Sequence, residues 1–558
     1  MSARIAAALV FALALLCGAV APGAAVPQSA QSVPMTTAAA DIDPEPANAT
    51  LVEAYPNPVA HGDPGEFVAV RFAEPTDTTG WTLTDGTATA TLPNRTFEGT
   101  VAFSTEPEHA RTDTDHRVEP LSGRLLLADD GDRLELNAGD ETVGSARYRT
   151  APESEIRDFE AGEWRPVGAT DRAPIRTDGG EATAFVLPDS PDKTVDTLRT
   201  ADDRLLVAGY TFTSERVTDA LVAASGRGVT VRLLLDGAPV GGVSERQARQ
   251  LDRLVAAGIE VRLLTGPHTR YRHHHPKYAV ADDRALVSTE NFKPAGTGGM
   301  SSRGWGVVLD DPDAADALAS IHDADWTWRA ATEWAAYREG REFVDADPAL
   351  GSFESSHDPG RVDLESTTIL VAPDNAAGEL VPAIESADDR LLIQQVRIDS
   401  RDNELLAAAL RAAERGARVR IHLGGSWYVA EENAELVAWL NRRADSEGWD
   451  LEARVDTPDG YDKIHTKGVV ADDTAVVGSL NWVRSAKSDN REVLVALEGR
   501  EAADYYASVF AADWGTDDRD SVPAGLLAGG AVAASGALLA IRRIEFVGRD
   551  GTVTDWQW

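Results

Sequence analysis

The sequence predicts an α/β body of two similar lobes, preceded by an all-β immunoglobulin-like sandwich and followed by one transmembrane helix. Three observations carry that expectation. An α/β pattern starts near Leu187 and begins again near Ala372; a run of short alternating strands precedes it; and an uncharged stretch of 19 residues, 523–541, lies near the C-terminus.

In chain order, residues 1–25 (MSARIAAALVFALALLCGAVAPGAA) join one early arginine to an apolar run and then small residues, the pattern of an export signal. The chain's one cysteine, Cys17, falls inside it, so the mature chain would hold no disulfide and rest on packing alone. Residues 26–47, rich in Ala, Pro, Thr and Asp without periodicity, read as a linker. From 48 to 150 the segments LVEAYPNP, GEFVAVRF, GWTLTDG and RLLLADDGDRLEL alternate with turn residues, as strands of a sandwich do. Asn48 and Asn94 stand in glycosylation sequons.

The repeat follows a linker at 151–179. LPDSPDKTVDTLRTADDRLLVAGY and APDNAAGELVPAIESADDRLLIQQV share Pro-Asp, a helix-like stretch and Ala-Asp-Asp-Arg-Leu-Leu before an apolar strand; each continues through two further helix–strand units. Such alternation implies a mostly parallel or mixed sheet covered on both faces. The lobes are expected at 180–345 and 366–515, joined by a linker at 346–365. The apolar stretch just spans a bilayer, and Arg542 and Arg543 after it mark the cytoplasmic side. An anchor at 522–541, a cytoplasmic tail at 542–558 and an exported body tethered outside the cell membrane are therefore expected.

The 558 residues carry a formal net charge of -38, with a pI near 4.6. Lysine occurs only at 193, 277, 293, 463, 467 and 487, so arginine supplies nearly all the positive charge. An acidic, lysine-poor surface suits concentrated salt and points to a halophile. At 1 M salt the screening length is about 3 Å. The charge thus excludes neither nucleic acid nor phospholipid as a partner.

Scarce lysines gather where the two copies end. HPKYAVADDRALVSTEN contains His275, Lys277, Asp282, Thr289 and Asn291; HTKGVVADDTAVVGSLN contains His465, Lys467, Asp472, Ser479 and Asn481. On a strand His275 and Lys277 face the same way, as do His465 and Lys467. Facing edges of the two lobes would gather two histidines, two lysines and two asparagines in one cleft. That inventory suits a phosphodiester. One imidazole can attack phosphorus to give a phosphohistidine, and the other can protonate the leaving oxygen. Lysine and asparagine donors would hold the charged phosphoryl oxygens, and the chemistry calls for neither metal nor cofactor.

These segments resemble the paired HxKxxxxD…GSxN motifs of the phospholipase D superfamily, over about residues 180–515. The resemblance implies that His275, Lys277, Asn291, His465, Lys467 and Asn481 form the site, with His275 as nucleophile and His465 as acid and base. It implies that Thr289 and Ser479, which keep the family's small hydroxyl position, bind the phosphate beside the asparagines. Glu492 in DNREVLVAL matches an acidic residue that orients a motif histidine. RGWGVVL places Gly306 there in the first copy, so the lobes are expected to be unequal. Asp282 and Asp472 read as structural. The strands of 48–150 resemble a lamin-tail domain, which would bind or position.

His273 and His274 in RHHHPK are expected at the rim and not as metal ligands, because neighbours on a strand alternate faces. Arg270, Arg272 and Lys293 are read either as a basic mouth or as solvated charge, and Trp427, Tyr428 and Trp482 as packing ahead of stacking on a base or meeting lipid. The expected activity is metal-independent hydrolysis or transfer of a phosphodiester, with phospholipid ahead of DNA. A surface binding protein without catalysis is the remaining alternative.

Overall fold

The computed structural model describes residues 48–58, 64–266, 269–346, 348–456 and 458–515. The expected export signal, first linker, anchor and tail lie outside these residues. Among the described residues no helix is long and apolar enough to cross a membrane.

Two sheets form the N-terminal part. One runs Glu163–Pro166, Glu155–Asp158, Ala49–Tyr55, Phe67–Asp77, Thr96–Ser104, Arg117–Pro120; the other runs Ser122–Gly123, Thr89–Thr91, Trp81–Thr84, Arg133–Ala138, Glu141–Arg147. Val68, Val70 and Phe72 of the first share a buried core with Leu83, Leu134 and Leu136 of the second. Alternation therefore buries one face of each sheet against the other. The linker expected at 151–179 is largely structured, since residues 155–166 add two strands to the first sheet.

The two lobes repeat one sheet. In the first the order is Glu260–Leu264, Thr230–Asp236, Arg204–Gly209, Tyr278–Ala281, Arg284–Ser288, Ser302–Asp310, Glu181–Leu187; in the second it is Leu451–Val455, Arg418–Leu423, Arg390–Gln395, Lys467–Ala471, Thr474–Gly478, Glu492–Glu498, Ser366–Ala372. Three parallel strands stand at one side and antiparallel strands fill the rest. The helices begin where polar side chains satisfy free backbone donors. Ser214 accepts from Val217, Ser244 from Gln247, and Asn403 from Leu405 and Leu406. Gly416 closes the helix Glu404–Arg415 at φ 108°, a left-handed conformation that glycine adopts without steric cost.

The lobes interlace. Ile175–Asp178, within the linker expected at 151–179, pairs with Ser366–Ala372 of the second lobe, and Gly360–Asp363, within the linker expected at 346–365, pairs with Glu181–Leu187 of the first. One buried core unites Tyr278, Trp305 and Val307 with Val470, Val477, Val495 and Tyr506. Trp305 stacks on Tyr506 at 4.6 Å and takes the space above Gly468, where a Cβ would lie 2.3 Å from its ring. Burial of side chains this large contributes roughly 1.5–3 kcal/mol each. It joins the strands that carry the two motifs.

Candidate active site

Each motif histidine leaves its own sheet and pairs with the other lobe. The His465 N–H donates to the Arg303 carbonyl, and the His275 N–H to the Arg491 carbonyl, both at 2.9 Å. Lys463–Ile464 runs parallel to Ser302 and Arg303, and His274 forms the matching bridge with Arg491. Two buried arginines fasten these crossings. Arg491 bonds Asp325 at 3.0 and 3.1 Å and Asp374 at 2.7 Å; Arg303 lies between Asp189 and, at 3.0 Å, Asp513. Strand register makes the two clusters equivalent, since Leu187 pairs with Gly304 as Ala372 pairs with Glu492.

The carboxylates that meet the histidines come from opposite lobes. Nδ1 of His275 lies 2.9 and 2.8 Å from the two oxygens of Glu492, which also accepts from Asn490 at 3.0 Å. Nδ1 of His465 lies 3.3 Å from Glu290. A carboxylate at Nδ1 accepts a hydrogen bond from that nitrogen's N–H and leaves the Nε2 lone pair free for chemistry. The lobes are thus not unequal in this respect. Register shows that Gly304, not Gly306, corresponds to Glu492. A Cβ on Gly304 would lie 2.4 Å from Cγ of Glu290, so the vacant position is filled from the neighbouring strand end. Glu290 was not among the residues singled out from the sequence. Its signal was a carboxylate in STEN where the second motif has Leu480.

Lys277 and Lys467 are buried, and each donates to the carbonyl of its own motif histidine at 2.6 Å. Lys467 lies close enough for its charge to act on His275, and Lys277 for its charge to act on His465. Burial pushes His275 down to about 3 and His465 to about 4; in each case the carboxylate pulls upward and the lysines add to the depression. Burial also pushes Lys467 down to about 8, against the pull of Glu290 and Glu492, and holds Lys277 well below the usual range. Both imidazoles are therefore neutral at pH 7.

Asn291 and Asn481 are half-buried at the ends of matching strands, and Oδ1 of Asn291 has no protein partner among the described residues. The hydroxyls expected beside them serve the backbone instead. Oγ1 of Thr289 accepts from Trp305 N–H and Oγ of Ser479 from Val493 N–H, both at 3.0 Å and fully buried. Asp282 and Asp472 each accept three backbone N–H bonds, from Asp202, Asp203 and Arg204 and from Asp388, Asp389 and Arg390. Both sit at positive φ in their hairpins, 52° and 49°. They tie the hairpin to the start of the neighbouring strand.

Other residues fall differently. His274, expected at the rim, is buried, and no cluster of metal-ligating side chains occurs among the described residues. Tyr210, not anticipated, meets the His275 ring edge-on at 4.7 Å. Arg270 stacks on Trp328 at 3.6 Å, and Arg272 pairs at 2.7 Å with Glu153, which precedes the last two strands of the sandwich. Trp482 packs in the core as expected, but Trp427 is 84% exposed and Tyr428 is also exposed.

Residues 194–326 and 380–514 match the family model described as cardiolipin synthase, PLD-like domain. The chain carries a phospholipase D-like domain in two segments. Among solved structures, the phosphatidylserine synthase of Haemophilus influenzae Rd KW20 is similar at 16% identity and a TM-score of 0.44, over 58% of this chain and 84% of that one. Nuc of Salmonella typhimurium, a phospholipase D family member, is 20% identical with a TM-score of 0.24, over 29% of this chain and 98% of its own. The polyphosphate kinase of Porphyromonas gingivalis is 14% identical with a TM-score of 0.37, over 56% of this chain and 47% of that one. No curated protein matches the chain. Both phospholipase D-like segments end beyond their motifs, so the paired site lies within the matched residues.

Proposed function

We propose that the protein cleaves or transfers a phosphodiester through a phosphohistidine, without a metal, and that its substrate is a phospholipid. One observation carries the mechanism: two neutral imidazoles, each facing a carboxylate at Nδ1, flanked by two buried lysines. His275 is the nucleophile. Its carboxylate holds it through two short contacts, whereas the 3.3 Å contact of His465 leaves the freer ring that an acid and base needs. His465 takes up a proton at Nε2 from solvent as the phosphodiester anion binds; His275 Nε2 then forms the bond to phosphorus as the bond to the leaving oxygen breaks, and His465 gives that oxygen the proton. His465 then takes a proton from water or an alcohol, whose oxygen attacks phosphorus and releases His275. Lys277, Lys467, Asn291 and Asn481 donate to the non-bridging oxygens.

The matched family's name supports a phospholipid, as does the apolar segment 523–541, which we take to hold an exported enzyme at a membrane. DNA is a second reading, favoured by the exposed edge-on pair Trp427 and Tyr428, which offers faces for base stacking. The test is incubation in high salt with EDTA, with phospholipid and with single- and double-stranded DNA. Headgroup release that is lost in both His275→Ala and His465→Ala supports the first reading, and DNA cleavage lost in both supports the second. Phosphodiester turnover unchanged in the two variants overturns the mechanism.

A further inference from the structure

Four of the six lysines surround the site, and two of them have no role in the chemistry above. Lys293 stands two residues after Asn291, and Lys463 two before His465. Lys463 pairs in register with Ser302, whose N–H bonds the Ala295 carbonyl at 2.9 Å; the Gly296 N–H bonds the Lys293 carbonyl at 3.1 Å. The turn that starts at Lys293 is thereby laid beside the strand that starts at Lys463. Gly296 closes over Glu290, where a Cβ would lie 2.5 Å from the carboxylate that faces His465. Both lysines are half-buried, and neither has a carboxylate within ion-pair distance among the described residues. Burial, then the charge of Lys463, pushes Lys293 below its ordinary range, against the weaker upward pull of Glu290.

This arrangement occurs on one side only. Motif spacing makes Val483 the counterpart of Lys293 and His273 that of Lys463. The side of His275 is instead aromatic, with the Tyr210 ring edge-on to both His273 and His275. Charge gives a second argument. Four lysines face two carboxylates, each engaged by an imidazole, so a singly charged phosphodiester leaves positive charge over, and more once His465 is protonated. Two neighbouring ammoniums with no carboxylate in contact repel one another, and a ligand that supplies the counter-charge relieves that repulsion.

We infer that Lys293 and Lys463 form a second anion subsite beside His465, and that the leaving alcohol of the phospholipid carries a phosphate or carboxylate. The inference rests on the proposed function. With His275 attacking in line, the leaving oxygen departs toward His465, the side on which the two lysines stand. The alcohol leaves neutral at that oxygen and charged at its own acidic group.

The test uses the full chain with short-chain phospholipids of one acyl composition whose headgroups are glycerol or glycerol phosphate, in high salt with EDTA. Turnover per unit KM is expected to be at least about tenfold higher for glycerol phosphate, the scale of one charge-assisted contact. Lys293→Gln and Lys463→Gln each shrink that ratio toward one, and Lys463→Arg retains it. A wild-type ratio near one overturns the inference, as does an equal loss on both lipids in the glutamine variants. Silence on both lipids, with preference for a terminal phosphate on the leaving side of a thymidine dinucleotide, overturns the lipid assignment. Failure of the mechanism itself reads differently: His275→Ala and His465→Ala would then turn over both lipids as the wild type does.

Discussion

At the scale of single residues, the site depends on a carboxylate moved from one strand to its neighbour. Glu290→Leu is expected to lower turnover by about 10²-fold or more, the scale of a positioned acid–base group. Gly304→Glu alone clashes with Glu290, whereas the double variant restores the layout of the second lobe and recovers most of the loss. Steady-state kinetics of the three variants checks this, and losses that merely multiply contradict it. Proton release and uptake give another test. The free site holds His465 neutral, and a bound phosphodiester anion favours its protonated form. Substrate binding at pH 7 should therefore take up a proton, seen as a calorimetric heat that depends on the buffer's ionisation enthalpy; a buffer-independent heat contradicts it. The histidines and lysines were legible because their types and spacing recur in two copies. Glu290 was not, because only strand pairing shows that Gly304 answers to Glu492. The hydroxyls of Thr289 and Ser479 misled for a similar reason: sequence shows a donor but not the backbone N–H that engages it.

At the scale of elements, the decisive features are the crossings that carry each histidine onto the other lobe. Arg491 is buried among Asp325 and Asp374, and removing it leaves two carboxylates without their cation. Arg491→Met should cost about 3–5 kcal/mol of stability, measured by denaturant unfolding. Because the His275 N–H bonds the Arg491 carbonyl, the variant should also lose activity before it unfolds. A stability change below about 1 kcal/mol would contradict the assigned role. Helices and strands of the repeat were readable from their apolar periodicity. The interlacing was not, since Ile175–Asp178 and Gly360–Asp363 are short edge strands whose polar, irregular sequence resembles a linker until a partner is in place.

At the scale of the whole molecule, two lobes form one site because neither holds a complete pair of histidine and carboxylate. Burying neutral imidazoles has a consequence for stability. His274, His275 and His465 titrate near 4, 3 and 4 in the folded chain and near 6.5 when unfolded. Between those values the unfolded state binds more protons, so stability falls as pH drops from 6.5 toward 4, by at most about 1.4 kcal/mol per pH unit for each histidine. Thermal unfolding across that window checks it, and a flat profile contradicts it. The central claim, attack by His275 with proton transfer by His465, is tested most directly by trapping. His465→Ala, given a p-nitrophenyl phosphodiester whose leaving group needs no proton, should release nitrophenolate in a burst and accumulate an acid-labile phosphoryl ester adduct on the peptide containing His275. No adduct in His465→Ala, together with a burst and an adduct on His465 in His275→Ala, would contradict the account.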